Sequence, residues 1–290
     1  MIEFRVLGPL EARAPGGTSP PLGGPRQRAV LAALLLAGNR LVTLDALVDA
    51  VWGDDPPRTA RRQIQNRVSA LRVAFGADSP IVSHQAGYQL RLTPDQLDAT
   101  AFSRDAELAH RHWKSGDVTG TAEVCRAALR RWRGPALAGL PGPGAATDAL
   151  RLEELRLDVL ALRVDADLAL GHHHDLIAEL TRLCRDHPMR ERLCAQLMTA
   201  LHRDGRKSDA LSTFDTARRR LREDFGLDPG PDLVALRQAI LTDAPGAYPG
   251  LPPGPARPTA DERLPAGSAA ASRPAQLGPA PTLLVGRDAQ

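Results

Sequence analysis

Arg58-Thr-Ala-Arg-Arg-Gln-Ile-Gln-Asn-Arg-Val-Ser-Ala-Leu-Arg-Val-Ala-Phe-Gly76 carries five arginines, at 58, 61, 62, 67 and 72, and no acid. Its large apolar residues Ile64, Val68, Leu71 and Phe75 recur at helical spacing. At about 100° per residue they form one narrow stripe with Ala60 at its edge. The opposite face then holds Arg58, Arg62, Gln65, Asn66, Ser69 and Val73. Arg61 and Arg72 fall on one flank and Arg67 on the other. One side packs, and the other offers guanidinium forks, amides and a hydroxyl, the groups that meet base edges and phosphates. A solvated basic helix normally interleaves acids with its arginines. Their absence favours a helix that reads DNA.

The residues before this stretch supply a scaffold for it. Ile2-Glu-Phe-Arg-Val-Leu7 alternates and then meets Gly8-Pro9, which predicts a strand and a turn, with Leu10–Ala14 as partner. Pro25 fits a first helical position, and Val30, Leu31, Leu34 and Leu35 make the buried face of a helix ending at Gly38-Asn39. Val42 adds a short strand, and Thr43 caps a second helix bearing Leu44, Leu47, Val48, Val51 and Trp52. Gly53 and Pro56-Pro57 separate it from the basic helix. Ile81–Leu92 reads as strand, turn at Gln85–Gly87, strand. Small sheet, three helices and hairpin is the order of a winged helix-turn-helix, and the leading sheet marks the response-regulator type. The third helix is then the groove reader, with His84, Gln85 and Tyr88 on the wing.

From Asp95 onward the pattern is helical only. Helices are expected from Asp98 or Thr100 to Trp113, on to Trp132, over Ala145–Leu170, and then to Arg185, His202, Phe225 and Leu241. Gly171 and Gly205 stand 34 residues apart, and at that offset Asp175 meets Asp209, Ile177 meets Leu211 and Leu180 meets Phe214. This is the tetratricopeptide period. The expected fold is mainly α with a small β component: a winged helix over 1–95, a tetratricopeptide-like all-helical domain over 96–245, and a Pro-rich flexible linker or tail over 246–290. Ten prolines lie between 245 and 281.

The totals narrow the function. Residues 1–95 hold 11 Arg against 8 acids, whereas 96–245 hold 22 basic and 23 acidic residues. The useful positive charge is concentrated on the basic stretch. No run of 18 apolar residues and no signal pattern is present, so the chain reads as cytoplasmic, with no membrane partner. Three cysteines without CxxC spacing argue against a disulfide framework. No phosphate-binding loop, HExxH or GxSxG occurs. His172-His173-His174 sits between helices, where three adjacent histidines cannot all face one ion. Asp165 and Asp167 lie in the long helix near Arg163 and read as exposed charge pairs. No enzyme, cofactor or metal site is expected.

Several segments together resemble the Streptomyces antibiotic regulatory protein family of transcriptional activators. Phe4-Arg-Val-Leu-Gly-Pro-Leu10, Leu47-Val-Asp-Ala-Val-Trp-Gly-Asp-Asp-Pro-Pro57, Gln65, Val68-Ser69, Leu71-Arg72 and Gly87-Tyr88 look like its winged helix. Trp132-Arg-Gly-Pro-Ala-Leu137, Arg151-Leu-Glu-Glu-Leu-Arg156, Asp167-Leu-Ala-Leu-Gly171, His187-Pro188 and Phe225-Gly-Leu-Asp-Pro-Gly-Pro231 look like its bacterial transcriptional activation domain. The resemblance implies an activator that binds direct repeats in double-stranded DNA as a side-by-side dimer. It would recruit RNA polymerase, including the sigma factor, to switch on secondary-metabolite genes for antibiotic biosynthesis. Ala70 and Val73 stand where relatives often carry a basic residue, and Arg67 where an aromatic or His is common, so base preference is expected to differ. Leu284-Val-Gly-Arg-Asp288 looks like the entry to a signal-transduction NTPase domain. Two other readings therefore stand beside the activator: a helical-repeat adaptor for protein contacts, and the N-terminal regulatory part of a larger NTPase.

Overall fold

The computed structural model describes residues 2–14, 17, 19–77 and 79–244. The Pro-rich stretch 246–290 and Leu284–Asp288 lie outside the described residues. The chain opens with an antiparallel pair, β1 (Glu3–Arg5) and β2 (Glu11–Arg13), in the register Phe4↔Ala12. Helix α1 (Pro25–Leu36) begins with Pro25 in its first turn, where a missing N–H costs nothing. Strand β3 (Val42–Thr43) leads directly into α2 (Leu44–Trp52), whose first turn is closed by Thr43 Oγ1 accepting from the Ala46 N–H at 3.2 Å. Helix α3 (Ala60–Phe75) follows a single turn at Pro57–Thr59, so the helix expected over 58–76 is shorter at its N-terminus.

Strands β4 (Ile81–His84) and β5 (Gly87–Leu90) form the hairpin, and β3 joins β5 to give the order β3-β5-β4. The turn is Gln85–Ala86, and Gly87 belongs to β5. Gly87 is dictated by close approach: a Cβ there would lie 2.0 Å from the Val42 carbonyl oxygen. Asn39 ties the end of α1 to the end of the hairpin. Its side chain donates to the Leu92 carbonyl at 2.9 Å and accepts from the Leu92 N–H at 2.7 Å.

Among the described residues, a short 3-10 turn (Pro94–Gln96) and seven further α-helices follow: α4 (Asp98–Lys114), α5 (Val118–Leu129), α6 (Pro143–Ala169), α7 (His173–Asp186), α8 (Glu191–Arg203), α9 (Lys207–Phe225) and α10 (Pro231–Leu241). The 34-residue period is visible in the backbone. After α6, Gly171 N–H donates to Leu168 O and His172 N–H to Asp167 O; after α8, Gly205 donates to His202 and Arg206 to Leu201. Both glycines have positive φ, +88° and +81°, as this turn requires. The result is the expected architecture, a small-sheet winged helix followed by an all-helical part.

Two hydrophobic cores fill the molecule. The first runs without a break from Phe4 through the winged helix and on through Leu97, Phe102, Leu137 and Leu152 to Leu162. The second gathers Ala161 to Ile240. Helix α6 belongs to both. Phe4 meets Phe75 edge-on at 5.6 Å, Phe102 meets Trp132 at 5.4 Å, and α6 packs against α1 and α2. Polar contacts seal the same seam. Asp98 accepts from Val6 and Leu7 N–H at 2.8 and 3.2 Å, and Arg133 and Leu137 N–H donate to Leu7 and Val6 carbonyls. Where the cores meet, Asp165 and Asp167 are buried, which corrects the expectation of exposed charge pairs. Both faces of α6 are covered at this point. Arg126 of α5 and Arg163 hold Asp167, while Arg192 and Gln196 of α8 hold Asp165. Buried carboxylates need such partners.

Candidate nucleic-acid interface

The apolar stripe of α3 packs as its spacing predicts: Ala60, Ile64, Val68, Leu71 and Phe75 are all buried. The opposite face is open. Arg62, Gln65, Asn66, Ser69 and Val73 are exposed, Val73 at 83%, whereas Arg58, also exposed, lies in the turn before the helix and not on the helix face where the sequence placed it. Ser69 Oγ donates back to the Gln65 carbonyl at 3.0 Å, which leaves its lone pairs outward.

The flanking arginines are each engaged. Arg61 meets Asp45, in the first turn of α2, at 2.6 and 2.8 Å, with both side chains largely in water. Arg67 donates to the Gln63 carbonyl at 3.1 Å and lies over the Trp52 ring at 5.5 Å, with Arg26 over the same ring at 5.9 Å. Burial, and then the neighbouring charge of Arg26, lower the Arg67 pKa. Arg72 reaches the hairpin. It donates to the Ile81 carbonyl through Nη2 at 3.0 Å and to Ser83 Oγ at 2.9 Å, and lies 5.8 Å from the Tyr88 ring centre. Arg72 therefore fixes the angle between helix and wing. On the wing itself His84 and Gln85 are exposed, His84 Nε2 sits 3.0 Å from Gln89 Oε1, and Tyr88 is half-buried under Arg72.

Trp52, Arg26 and Asp45 were not legible as parts of this surface. Trp52 reads as an apolar core position, and nothing in the sequence shows that its ring face receives guanidinium groups from two other helices. The histidine tract divides: His172 faces Asp167 at 3.7 Å and His174 faces Asp204 at 3.0 Å. Among the described residues no group of three or more His, Cys, Asp or Glu could hold a metal ion. No helix among them is long and apolar enough to cross a membrane.

Residues 20–90 match the family described as "Transcriptional regulatory protein, C terminal", and residues 97–241 match the "Bacterial transcriptional activator domain". The chain is 37% identical over 256 residues to the regulatory protein DnrI of Streptomyces peucetius, covering 84% of this chain and 94% of DnrI. The chain belongs to the Streptomyces antibiotic regulatory protein family. A second member of this family, the regulatory protein AfsR of Streptomyces griseus, is 42% identical over 240 residues, covering 83% of this chain. The matched region spans only 24% of AfsR. A solved structure of Mycobacterium tuberculosis EmbR in complex with a low-affinity phosphopeptide is similar with a TM-score of 0.79 at 35% identity, covering 83% of this chain and 65% of that one. The family's members among these relatives are transcriptional regulators, and the continuous first core holds residues of both matched regions.

Proposed function

We propose that this protein is a transcriptional activator that reads specific DNA with α3 and recruits RNA polymerase with its helical part. One observation carries the reading: α3 presents an exposed, acid-free face of Arg62, Gln65, Asn66, Ser69 and Val73, with Arg58 exposed in the turn before it, while its other face is fully packed. In the major groove, Arg62, Gln65 and Asn66 have the forks and amides that pair with base edges, and Val73 meets a thymine methyl. Arg61, Arg67 and Arg72 serve the phosphates. Arg67 and Arg72 arrive already oriented by Trp52 and the wing, whereas Arg61 exchanges Asp45 for phosphate. That exchange is inexpensive, since an exposed ion pair contributes only about 0–1 kcal/mol. His84, Gln85 and Tyr88 lie beside the backbone or minor groove.

In this reading residues 1–95 supply DNA recognition, residues 96–245 supply activation, and 246–290 serve as a linker or tail. Two copies bind side by side on direct repeats at promoters of secondary-metabolite genes and contact RNA polymerase, including its sigma factor. Footprinting on genomic promoter DNA, with and without RNA polymerase, tests it. The expected result is a repeated protected site whose occupancy rises with polymerase, and whose affinity falls steeply with salt because arginine–phosphate contacts release counterions. No salt-dependent binding to any duplex would support the adaptor reading instead.

A further inference from the structure

Helices α7, α8 and α9 enclose an open groove of about 550 Å³ within the second core's side of the molecule. Three guanidinium groups line it, from Arg182, Arg185 and Arg220, and no Asp or Glu does among the described residues. Asp186 occupies two of the three, at 3.5 Å from Arg182 and 3.2 Å from Arg185. Arg220 makes no ion pair among the described residues. It is half-buried, and the buried Cys184 and Cys194 line the groove floor beside it. Leu197 and Ala217 complete that floor, and Ser212 and Thr216 place hydroxyls on the α9 wall.

This is an incomplete electrostatic arrangement. A cation withdrawn partly from water gains from an anion at hydrogen-bond distance, and here no protein acid supplies one. The volume lies within the range of about 300–1,000 Å³ typical of small-molecule sites, which combine an apolar floor with a few convergent polar groups. We propose that this groove binds a small amphipathic anion, with a carboxylate or phosphate head on Arg220 and an apolar body over Leu197, Ala217 and the two thiols. An acidic peptide fits less well. Its repeated charges would need several open cations, and Asp186 already occupies Arg182 and Arg185.

The test uses the full chain and 8-anilinonaphthalene-1-sulfonate, a fluorescent apolar anion. The expected result is one saturable site per chain. Arg220→Gln should weaken binding about tenfold or more, the order expected for one charge-assisted hydrogen bond. Arg220→Lys should retain binding within about threefold, since a point charge remains at that position. Thr216→Trp, which fills the groove from its wall, should abolish binding, and Arg219→Gln, on an exposed position outside the groove, should leave it unchanged. Displacement by octanoate or by octyl phosphate at the lower concentration identifies the head group. Circular dichroism of each variant verifies that the helices persist, and if Arg220→Gln unfolds, Thr216→Trp decides. Unchanged affinity in Thr216→Trp or in a folded Arg220→Gln variant would overturn the proposal. So would several equivalent sites, or displacement by hexaglutamate at concentrations as low as those of the lipid-like anions.

Discussion

Replacing Phe102 by alanine should loosen α3 from a distance. Phe102 lies in α4, outside the winged-helix segment in sequence, yet it is fully buried and packs edge-on against Trp132 in the core that also contains Ile64, Val68 and Leu71 of α3. A Phe→Ala change at such a site costs about 3–5 kcal/mol from lost transfer energy and the cavity left behind. A domain of ordinary stability holds only about 5–15 kcal/mol in total, so the loss is a large share. The assay is helped by an accident of composition. Trp52, Trp113 and Trp132 are the chain's three tryptophans, and all pack on the first core, with Trp113 also lining a pocket beside Leu233 and Leu236 of the second. Urea unfolding followed by tryptophan fluorescence therefore reports mainly the first core. The unfolding free energy drawn from the curve should fall by about 3–5 kcal/mol, and hydrogen exchange at the amides of residues 64–71 should accelerate together with that of α4. If α3 keeps its protection while α4 loses it, the two segments are independent units and the shared-core reasoning is wrong.

Four other outcomes are expected. Arg62→Ala or Asn66→Ala should cost about 1–3 kcal/mol on the preferred site and relax its specificity, whereas Arg61→Ala should weaken all duplexes alike and flatten the salt slope, as fluorescence anisotropy across a salt series would show. Asp45→Asn should do the reverse of Arg61→Ala, raising affinity for every duplex, because it removes the acid that competes with phosphate for Arg61. Val73→Ala should weaken binding only where one thymine contacts the helix, and unchanged preference at every base would remove that contact. Asp117 caps α5 by accepting from the Gly120 N–H at 2.8 Å, and this bond, then His112, holds its carboxyl below the usual range. A depressed folded pKa contributes stability above the unfolded value of about 3.9 that is lost as pH falls through the folded one. Wild-type unfolding midpoints should accordingly drop more below pH 4 than those of Asp117→Ala.

Much of this architecture was legible because it depends on local pattern. The stripe at 64, 68, 71 and 75 fixed which side of α3 is buried, and Gly171 and Gly205 marked two turns that prove to share the same hydrogen bonds 34 residues apart. The exposed face of α3 followed from the same stripe. What escaped is long-range. The bonds from Asp98 to the Val6 and Leu7 amides join residues 92 and 91 apart, and no periodicity announces them. Asp165 and Asp167 looked solvent-facing because charge near charge on one helix usually is; only the arrival of α5 and α8 on both sides buries them. Trp52 carried no sign of its guanidinium neighbours for the same reason, since Arg26 and Arg67 come from separate helices.

The continuous first core also has a consequence for promoter geometry. A reading helix joined to the rest of the molecule by a hinge could swing to meet its target from several directions. Here α3 belongs to one continuous core with residues of α4 and α6, so in the proposed function its seating in the groove sets the rotational phase of the helical part about the duplex axis. One turn of B-DNA spans about 10–10.5 base pairs. Under the proposed function, insertion of about 5 base pairs between operator and promoter would therefore carry the activating surface to the far side of the helix, while about 10 would restore it.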